Sequence, residues 1–356
     1  MKMKLARYWV AVGEDEVRCL LCPHRCLIKQ GQKGFCHARM NLGGSLYSLT
    51  YGNICVSNID SIEKKPVYHY KPGSKLLSLG TFGCNMDCKN CQNYFLARSS
   101  GEDLEYRNSD PDDVVIEALE KDVDGIAWTF NEPIVWCEFL LDVALGARNA
   151  GLFSLINTNG FIDKEARADL FNLIDVANID VKGFSEKFYR EICNASLNDV
   201  LETCLAAKDS SVHLELTYLL IPGLNDSEEE IVEFSKWVFS NLGSTTPIHF
   251  FRFQPSYKLS HLPAQKFEKL LEACNIAREC GIEYTYIGGA VGSKHQNTYC
   301  PVCGALLIRR ESVNPSKVCV RNSEISRFCP DFAKIEMHLE DGCCPSCNHP
   351  IPIILI

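Results

Sequence analysis

The sequence lacks the features of membrane proteins and of proteins that grip nucleic acid mainly by charge. No segment reaches about 18 consecutive apolar residues, the length that a membrane-spanning helix needs. Lys and Arg number 36 against 45 Asp and Glu, a formal net charge of −9, so an electropositive face for phosphate backbones is not expected. The first ten residues are charged too early for a signal peptide. We therefore expect a cytoplasmic protein with neither a membrane nor a nucleic acid as partner.

Internal repeats and low-complexity linkers are also absent. The composition, with 46% hydrophobic and 23% charged residues, is that of a globular protein and argues against disorder. A chain of 356 residues can form one large domain of roughly 200–250 residues with smaller appendages.

Cysteine, in contrast, is abundant, with 20 residues. Disulfide scaffolds are secreted and small, which this chain is not expected to be, so metal binding or redox chemistry is the better explanation. Fifteen of the cysteines fall in three regions, residues 19–55, 84–91 and 300–347. The other five are predicted to be buried as small hydrophobic side chains, namely Cys137, Cys193, Cys204, Cys274 and Cys280.

Short apolar runs alternate with amphipathic stretches through the middle of the chain. Amphipathic helices are predicted over residues 111–121, 134–149 and 263–280, the first opened by a capping signal at Asp110. Such alternation predicts an α/β fold, a partial (β/α) TIM-like barrel over residues 75–292. Cysteine-rich extensions, residues 1–74 and 293–356, flank it. The runs predicted to be its buried parallel strands are residues 76–80, 125–130, 153–158, 176–181, 212–221, 247–253 and 282–287.

Three cysteines follow the first predicted strand of the barrel at the spacing C-x3-C-x2-C. Cys84, Cys88 and Cys91 can bind three irons of a [4Fe–4S] cluster and leave the fourth iron without a protein ligand. A zinc knuckle is the alternative, but zinc is normally held by four ligands, more often in C-x2-C pairs. The motif follows the carboxyl end of a strand, where α/β folds place their chemistry. The sequence therefore predicts an iron–sulfur cluster with one open coordination position.

The spacing and position of these cysteines resemble those of the radical S-adenosylmethionine (SAM) superfamily. The resemblance implies that SAM chelates the open iron and is reductively cleaved to a 5′-deoxyadenosyl radical that abstracts hydrogen. The chain departs from the family at Asn90, because the residue before the third cysteine is commonly aromatic there and contacts the adenine. Asn90 is the expected neighbour of the adenine here.

Later segments resemble the strand ends that contact SAM in glycyl-radical activating enzymes. The resemblance implies that Glu132, in Thr-Phe-Asn-Glu-Pro where the family has Gly-Gly-Glu-Pro, holds the SAM ammonium group. It implies that Lys182 meets the SAM carboxylate and that Asp180 adds polar surroundings. Taken singly, these residues have ordinary structural explanations, such as a helix-start acid or a surface ion pair; their shared place at strand ends favours a site. The other implied SAM contacts are Thr158, Asn159 and His249.

Motifs along nearly the whole chain resemble the radical SAM protein of the AmmeMemoRadiSam system, which is similar to pyruvate formate-lyase activating enzyme. The resemblance implies a protein or peptide substrate, an electron donor such as flavodoxin or ferredoxin, and AMMECR1-domain and Memo-like proteins as partners. Gln254 departs from the group, which tends to have histidine there. The matching motifs include Cys22-Pro-His-Arg-Cys26, Ile62-Glu-Lys-Lys-Pro66, Ile221-Pro-Gly-Leu-Asn-Asp226 and Tyr299-Cys-Pro301.

Two C-x2-C pairs near the end of the chain predict a second metal site. Two such knuckles supply the four thiolates of a tetrahedral site, for which zinc is the first choice and a rubredoxin-like iron the alternative. Cys343 is a possible substitute ligand, and Cys319 and Cys329 are expected to be spare core cysteines. The predicted ligands are Cys300, Cys303, Cys344 and Cys347.

Four cysteines near the start of the chain predict a third site. So short a segment has little core of its own, so a metal would help it fold. Zinc is slightly favoured, an auxiliary iron–sulfur cluster is the alternative, and His24 and His37 are possible substitute ligands. The predicted ligands are Cys19, Cys22, Cys26 and Cys36.

Three questions stay open from the sequence. Lys64, Lys65 and His69 either line the approach of the substrate or, for the adjacent lysines, lie in solvent. The radical could modify a small molecule or peptide without any glycyl-radical partner. A zinc-ribbon regulatory or nucleic-acid-binding protein is the non-enzymatic alternative, against which the acidic net charge counts.

Overall fold

The computed structural model describes residues 2–313 and 331–355, together with the backbone of residues 318–320 and 323–325. The side chains of Cys319 and Cys329, predicted to be spare core cysteines, lie outside the described part. None of the helices described is long and apolar enough to cross a membrane.

The first 54 residues fold into small antiparallel sheets. Strands β5 and β6 form a hairpin joined at Gly43 and Gly44, whose φ angles of +62° and +73° suit a tight hairpin turn. The strands are β1 (Lys4–Leu5), β2 (Trp9–Val12), β3 (Glu16–Cys19), β4 (Leu27–Lys29), β5 (Arg39–Leu42), β6 (Ser45–Ser48) and β7 (Asn53–Ile54).

An eight-stranded sheet forms the centre of the molecule, in the spatial order β16-β15-β14-β13-β12-β11-β9-β8. Its strands β9 and β11–β16 are parallel and are the seven that the sequence predicts. Strand β8 was not predicted, and it pairs antiparallel with β9 at one edge. The strands from this part of the chain are β8 (Val56–Ser61), β9 (Lys75–Gly80), β10 (Arg107–Asn108, paired with β7), β11 (Gly125–Trp128), β12 (Phe153–Thr158), β13 (Val176–Asp180), β14 (His213–Leu220), β15 (Ile248–Arg252) and β16 (Thr285–Gly288).

Helices connect the parallel strands. The predicted capping signal is present, because Asp110 and Asp113 form a capping box at the start of α2. The sheet is not closed in the described residues, since β8 and β16 each have one partner, so the predicted partial α/β barrel is confirmed. The helices are α1 (Tyr94–Ala97), α2 (Pro111–Glu120), α3 (Cys137–Asn149), α4 (Lys164–Phe171), α5 (Glu186–Phe188), α6 (Leu197–Lys208), α7 (Glu228–Asn241) and α8 (Phe267–Glu279).

The chain between β8 and β9 packs against the inner face of the sheet; we call residues 62–70 the inner segment. Polar side chains of three neighbouring strands hold its backbone. Asn178 Nδ2 donates to the carbonyl of Pro66 at 2.8 Å, and Glu215 Oε1 accepts from the N–H groups of Tyr68 and His69 at 2.8 and 2.7 Å. Asn157 Nδ2 adds a fourth hydrogen bond, to the carbonyl of Lys65 at 3.0 Å. Buried backbone groups of the inner segment are therefore satisfied by the strands around it.

The C-terminal part packs against the same inner segment. Its strands β17, β18 and β21 form an antiparallel sheet, and β19 pairs with β20. Arg310 on β18 is buried and donates to the carbonyl of Tyr68 at 2.8 Å. The strands are β17 (Thr298–Tyr299), β18 (Leu306–Val313), β19 (Val318–Val320), β20 (Ser323–Ile325) and β21 (Asp331–Met337).

The N-terminal extension and the barrel share one hydrophobic core. Val17, Leu21 and Leu46 of the extension belong to the same buried cluster as Trp128 and Phe139 of the barrel. Strand β8 also lies on the N-terminal side of the predicted boundary at residue 74, although it pairs with β9 on the other side. The three-part division of the chain stays a prediction.

Candidate active site

The cluster motif occupies the loop between β9 and α1, at the carboxyl edge of the central sheet. Gly83 opens this loop with a φ of +86°, and a Cβ at this position would collide with the carbonyl oxygen of Cys36 in the N-terminal extension. Both observations require glycine. Cys84, Cys88 and Cys91 follow within eight residues of the chain, as the sequence predicts for this strand end.

Hydrogen bonds hold the cluster loop from two sides. The N–H groups of Asp87 and Lys89 donate to the carbonyls of Cys193 and Ile192 at 3.0 and 2.9 Å. On the other side, Asn131 Nδ2 donates to the carbonyl of Gly83 at 2.8 Å. The loop backbone is therefore fixed by its neighbours, which preorganises the three thiols as metal ligands.

Cys193 contributes a fourth thiol near the motif that the sequence did not indicate. It was correctly predicted to be buried, but it ends the π-helical turn Tyr189–Cys193, an irregularity that is frequent at functional sites. The neighbouring thiol of Cys193 lowers the pKa of Cys88 from its ordinary value. No spacing rule links residues 88 and 193, so only the tertiary structure reveals the contact.

An open cleft lies between the cluster loop and the carboxyl ends of the strands. Its empty volume is about 1180 Å³, a figure that includes the open solvent at its mouth. Most of the residues that the sequence assigns to the site line it: Cys84, Cys88, Asn90, Cys91, Glu132, Thr158, Asn159, Asp180 and Lys182.

Glu132 joins two strand ends beneath this cleft. Its Oε1 accepts hydrogen bonds from the Ile134 N–H at 3.0 Å and from Thr158 Oγ1 at 2.8 Å, and its Oε2 accepts from the Asn159 N–H at 2.8 Å. Burial raises the pKa of Glu132 to about 7, although these donors oppose the shift. The carboxylate is therefore a buried acceptor with a fixed orientation.

Two polar side chains lie close to the cluster ligands: Asn159 is beside the cluster loop, and Asn90 is within it. Asn159 Nδ2 lies 3.7 Å from Cys84 Sγ and 2.9 Å from Asn85 Oδ1, so it donates toward a cluster ligand. Asn90 is buried to all but 8% of its surface and lines the cleft as predicted.

Phe130 has an unusual backbone for a large side chain. Its φ of +73° is in the left-handed region. The family that this chain resembles has glycine at this position. The Phe130 ring lines the cleft and lies 5.3 Å from the Lys65 ammonium. Left-handed conformations of bulky residues are costly and concentrate at functional sites, which fits this position.

Asp180 and Lys182 form an ion pair at the end of β13 and line the cleft. Burial opposes the charged form of Lys182, but the neighbouring Asp180 outweighs it and raises the pKa of the lysine. The cleft therefore contains a fixed cation. The thiol of Cys88 lies near Lys182 and also favours the charged form of the lysine.

His249 is not among the described residues that line the cleft. Its Nε2 lies 2.6 Å from Glu215 Oε2, its ring stacks on Tyr286, and Tyr68 of the inner segment packs edge-on against it. Strand β15 reaches the cleft through Phe251 instead. The role of His249 in SAM binding thus remains a prediction, and its surroundings are those of a buried structural histidine.

The two lysines before β9 are buried, against the alternative that they lie in solvent. Lys64 lines the cleft and pairs with Asp331, and Lys65 Nζ lies 2.7 Å from Asp60 Oδ2. His69 contacts a different residue, since its Nε2 lies 2.7 Å from the Tyr286 hydroxyl. Lys64 is therefore the member of this group that can meet a ligand in the cleft.

The C-terminal cysteines converge as predicted. The four sulfur atoms all lie within 4.8 Å of one another, and Cys300–Cys347 and Cys303–Cys344 are each 3.6 Å apart. A tetrahedral ion with bonds of about 2.3 Å to sulfur requires ligands at roughly this spacing. Cys343 is not a member of the group.

The N-terminal cysteines surround a cavity. All four line it, together with His24, whose Nε2 lies 2.8 Å from the carbonyl of Asn85 next to the cluster motif. His37, the other possible substitute ligand, lies with Nε2 at 3.0 Å from Arg98 instead.

The side chains of the cleft fit a [4Fe–4S] cluster and SAM. Three thiols lie on one wall, and the described lining residues include no further cysteine or histidine that could take the fourth iron. The buried acceptor Glu132 and the cation Lys182 match the ammonium and carboxylate of an amino acid.

Comparison with known proteins places the chain in a family. The model of the radical SAM superfamily matches residues 79–235. An uncharacterized protein of Methanocaldococcus jannaschii is 38% identical over 353 residues, which cover 99% of this chain and all of that protein.

Two further relatives have named activities. The 4-hydroxyphenylacetate decarboxylase activating enzyme of Clostridioides difficile is 27% identical over 36% of this chain and 43% of its own length. The pyruvate formate-lyase 1-activating enzyme of Escherichia coli is 22% identical over 41% of this chain and 61% of its own length. The chain thus spans about half the length of these two relatives. The chain belongs to the radical SAM superfamily of enzymes.

Proposed function

We propose that this enzyme cleaves SAM reductively in the cleft and abstracts hydrogen from a protein or peptide substrate. The observation that carries the proposal is the convergence of Cys84, Cys88 and Cys91 with Glu132 and Lys182 on one open cleft at the carboxyl ends of the strands.

Different residues of the cleft bind the cluster and SAM. The three thiolates would hold the cluster, which would supply one electron to SAM; breakage of the S–C5′ bond of SAM would give methionine and the 5′-deoxyadenosyl radical. Glu132 accepts from the SAM ammonium group, and Lys182 pairs with its carboxylate. Asn159 donates toward Cys84 Sγ and thereby tunes a cluster ligand.

A polypeptide substrate is supported by the open mouth of the cleft and by the activating-enzyme relatives. Because the cleft opens to solvent, a segment of another chain can approach the cofactor from outside. Phe251 at its wall offers an aromatic surface to such a segment. An electron donor such as flavodoxin or ferredoxin, and AMMECR1-domain and Memo-like proteins, are the proposed partners.

Deuterium transfer distinguishes a polypeptide from a small-molecule substrate. Cells grown on deuterated medium are lysed anaerobically, and ultrafiltration separates macromolecules from small molecules. Each fraction is incubated with the enzyme, dithionite and SAM, and the mass of the 5′-deoxyadenosine is measured. We expect deuterium in the product with the macromolecular fraction and its loss after protease digestion of that fraction. Label from the small-molecule fraction alone would overturn the polypeptide assignment.

We also propose zinc for the C-terminal site. Its four thiols are already at the spacing of a single tetrahedral ion, and a closed set of four ligands is typical of structural zinc.

A further inference from the structure

The four N-terminal cysteines line a cavity at the junction of the extension with the barrel. Cys19 ends strand β3, and Cys22, Cys26 and Cys36 follow in the loops around β4 and before β5. The barrel contributes Asn85 and Val135 to the wall of the cavity, and its empty volume of about 350 Å³ includes open solvent. The four thiols therefore line one shared space.

The spacing of these thiols differs from that of the C-terminal set. The C-terminal sulfur atoms all lie within 4.8 Å of one another, whereas no three of the N-terminal sulfur atoms in the described part do so. A tetrahedral zinc ion with bonds of about 2.3 Å to sulfur holds its ligand sulfurs roughly 4 Å apart, which is the spacing of the C-terminal set. A four-iron cubane, in contrast, separates its cysteine sulfurs and fills the space between them.

Arg39 supplies a second observation that points to a ligand with acceptor atoms. This arginine lines the cavity and is fully buried, and its Nη1 lies 3.7 Å from Cys19 Sγ. Its buried Nε has no hydrogen-bond partner among the described residues. An unpaired buried donor is costly, and a zinc site offers it no acceptor other than the four cysteine sulfurs. The sulfide ions of a cluster accept such hydrogen bonds.

We propose that Cys19, Cys22, Cys26 and Cys36 bind an auxiliary [4Fe–4S] cluster, not zinc. All four irons have a cysteine ligand, so this cluster has no open coordination position, unlike the one in the cleft. His24 is not needed as a ligand, since its Nε2 already contacts the carbonyl of Asn85 at 2.8 Å.

The auxiliary cluster adjoins the cluster in the cleft. The carbonyl of Cys36 packs on Gly83, the residue before Cys84, and Asn85 contributes to the wall of the N-terminal cavity. Two reduced clusters at such close approach interact magnetically. The proposal concerns the metal content of the chain and does not depend on what the radical attacks.

Metal and sulfide content of the full-length protein tests this proposal directly. The protein is reconstituted anaerobically with iron and sulfide, and iron, sulfide and zinc are counted. We expect about eight irons and about eight sulfides per chain. The variant Cys84→Ser/Cys88→Ser/Cys91→Ser should keep about four irons and four sulfides, with a Mössbauer spectrum of a four-iron cluster. Reduced wild-type protein should give an EPR signal broadened by spin coupling that the variant lacks.

Two further variants make the result decisive. Cys22→Ser/Cys26→Ser should lose about four irons and sulfides and keep the signal of the cleft cluster. The control Cys280→Ser, at a half-buried cysteine outside the three sites, should keep the full content. A Cys84→Ser/Cys88→Ser/Cys91→Ser protein that is folded but contains zinc and no sulfide would overturn the proposal. Wild-type protein with only about four sulfides would also overturn it, even if a variant failed to fold.

Discussion

Both carboxylate oxygens of Glu132 accept hydrogen bonds from the chain, and the same group faces the cleft. We expect Glu132→Gln to bind SAM about 10- to 100-fold more weakly, because a charge-assisted hydrogen bond contributes about 1.5–3 kcal/mol. Anaerobic equilibrium dialysis measures this affinity. Glu117→Gln, on α2 and outside the described cleft lining, is the matched control and should leave the affinity unchanged.

The pH dependence of SAM affinity follows from the same residue. Burial raises the pKa of Glu132 to about 7, so the protonated, neutral form grows as the pH falls below 7. Wild-type affinity for SAM should therefore decline below pH 7, while that of Glu132→Gln stays flat. Parallel profiles for the two proteins would show that Glu132 is not the ammonium partner.

Glu215 is a second residue whose charge the fold requires. It is fully buried and accepts hydrogen bonds from the inner segment and from both His213 and His249, at 3.0 and 2.6 Å. Burial opposes its ionisation, but the two histidines outweigh this and lower its pKa. We expect Glu215→Gln to reduce the free energy of unfolding by about 3 kcal/mol in urea titrations. The exposed Glu202→Gln serves as the control.

Acid lability should depend on Glu215 as well. Because its pKa in the folded state lies below that in the unfolded chain, it contributes stability above the unfolded-state value and loses it as the pH falls. The stability of Glu215→Gln should thus fall less steeply in acid than that of the wild type. Equal acid slopes would contradict this assignment.

Strand β5 and helix α3 are joined by a buried ion pair. Arg39 on β5 pairs with Glu138 on α3, and both side chains are inaccessible to solvent. Removal of one partner leaves a buried charge, so Arg39→Met should cost about 3–5 kcal/mol of stability. The double variant Arg39→Met/Glu138→Leu should cost less, as chemical denaturation can measure. Lys29→Met, in a surface pair with Glu16, should have little effect, and a double variant worse than the sum would refute the pairing.

At the scale of elements, the sequence predicts the repeated units better than what lies between them. The seven parallel strands are continuous apolar runs because both faces are buried, so the sequence carries their signal. Strand β8, Val-Ser-Asn-Ile-Asp-Ser, has no such run, because it lies at the sheet edge and is held by pairing with β9. The packing of the inner segment could not be predicted either, because its partners Asn178 and Glu215 are distant in sequence.

The residues of the candidate site also divide into those that the sequence predicts and those that it does not. Cys84, Cys88 and Cys91 are close in sequence, and Glu132, Thr158 and Asp180 end consecutive strands, so topology alone brings them together. His249 shows where that reasoning stops, because Glu215 and the inner segment surround it. The contact of Cys193 with Cys88 depends on a π-helical turn that no local pattern in the sequence predicts.

At the scale of the whole molecule, the C-terminal metal site closes a unit that packs on the barrel. Cys303→Ser should lose about one zinc per chain and lower the Tm by roughly 3 °C, equivalent to about 2 kcal/mol. Metal analysis and thermal unfolding measure both effects. Cys343→Ser, whose residue is outside the four-sulfur group, should keep the zinc. Loss of iron without zinc from Cys303→Ser would identify a rubredoxin-like site instead.

Formation of 5′-deoxyadenosine tests the central claim most directly. The anaerobically reconstituted protein is incubated with dithionite and SAM, and the product is measured by liquid chromatography and mass spectrometry. We predict 5′-deoxyadenosine and methionine from the wild type and from Cys280→Ser, and none above background from Cys84→Ala/Cys88→Ala/Cys91→Ala. Wild-type protein with a full cleft cluster that forms no 5′-deoxyadenosine would contradict the account.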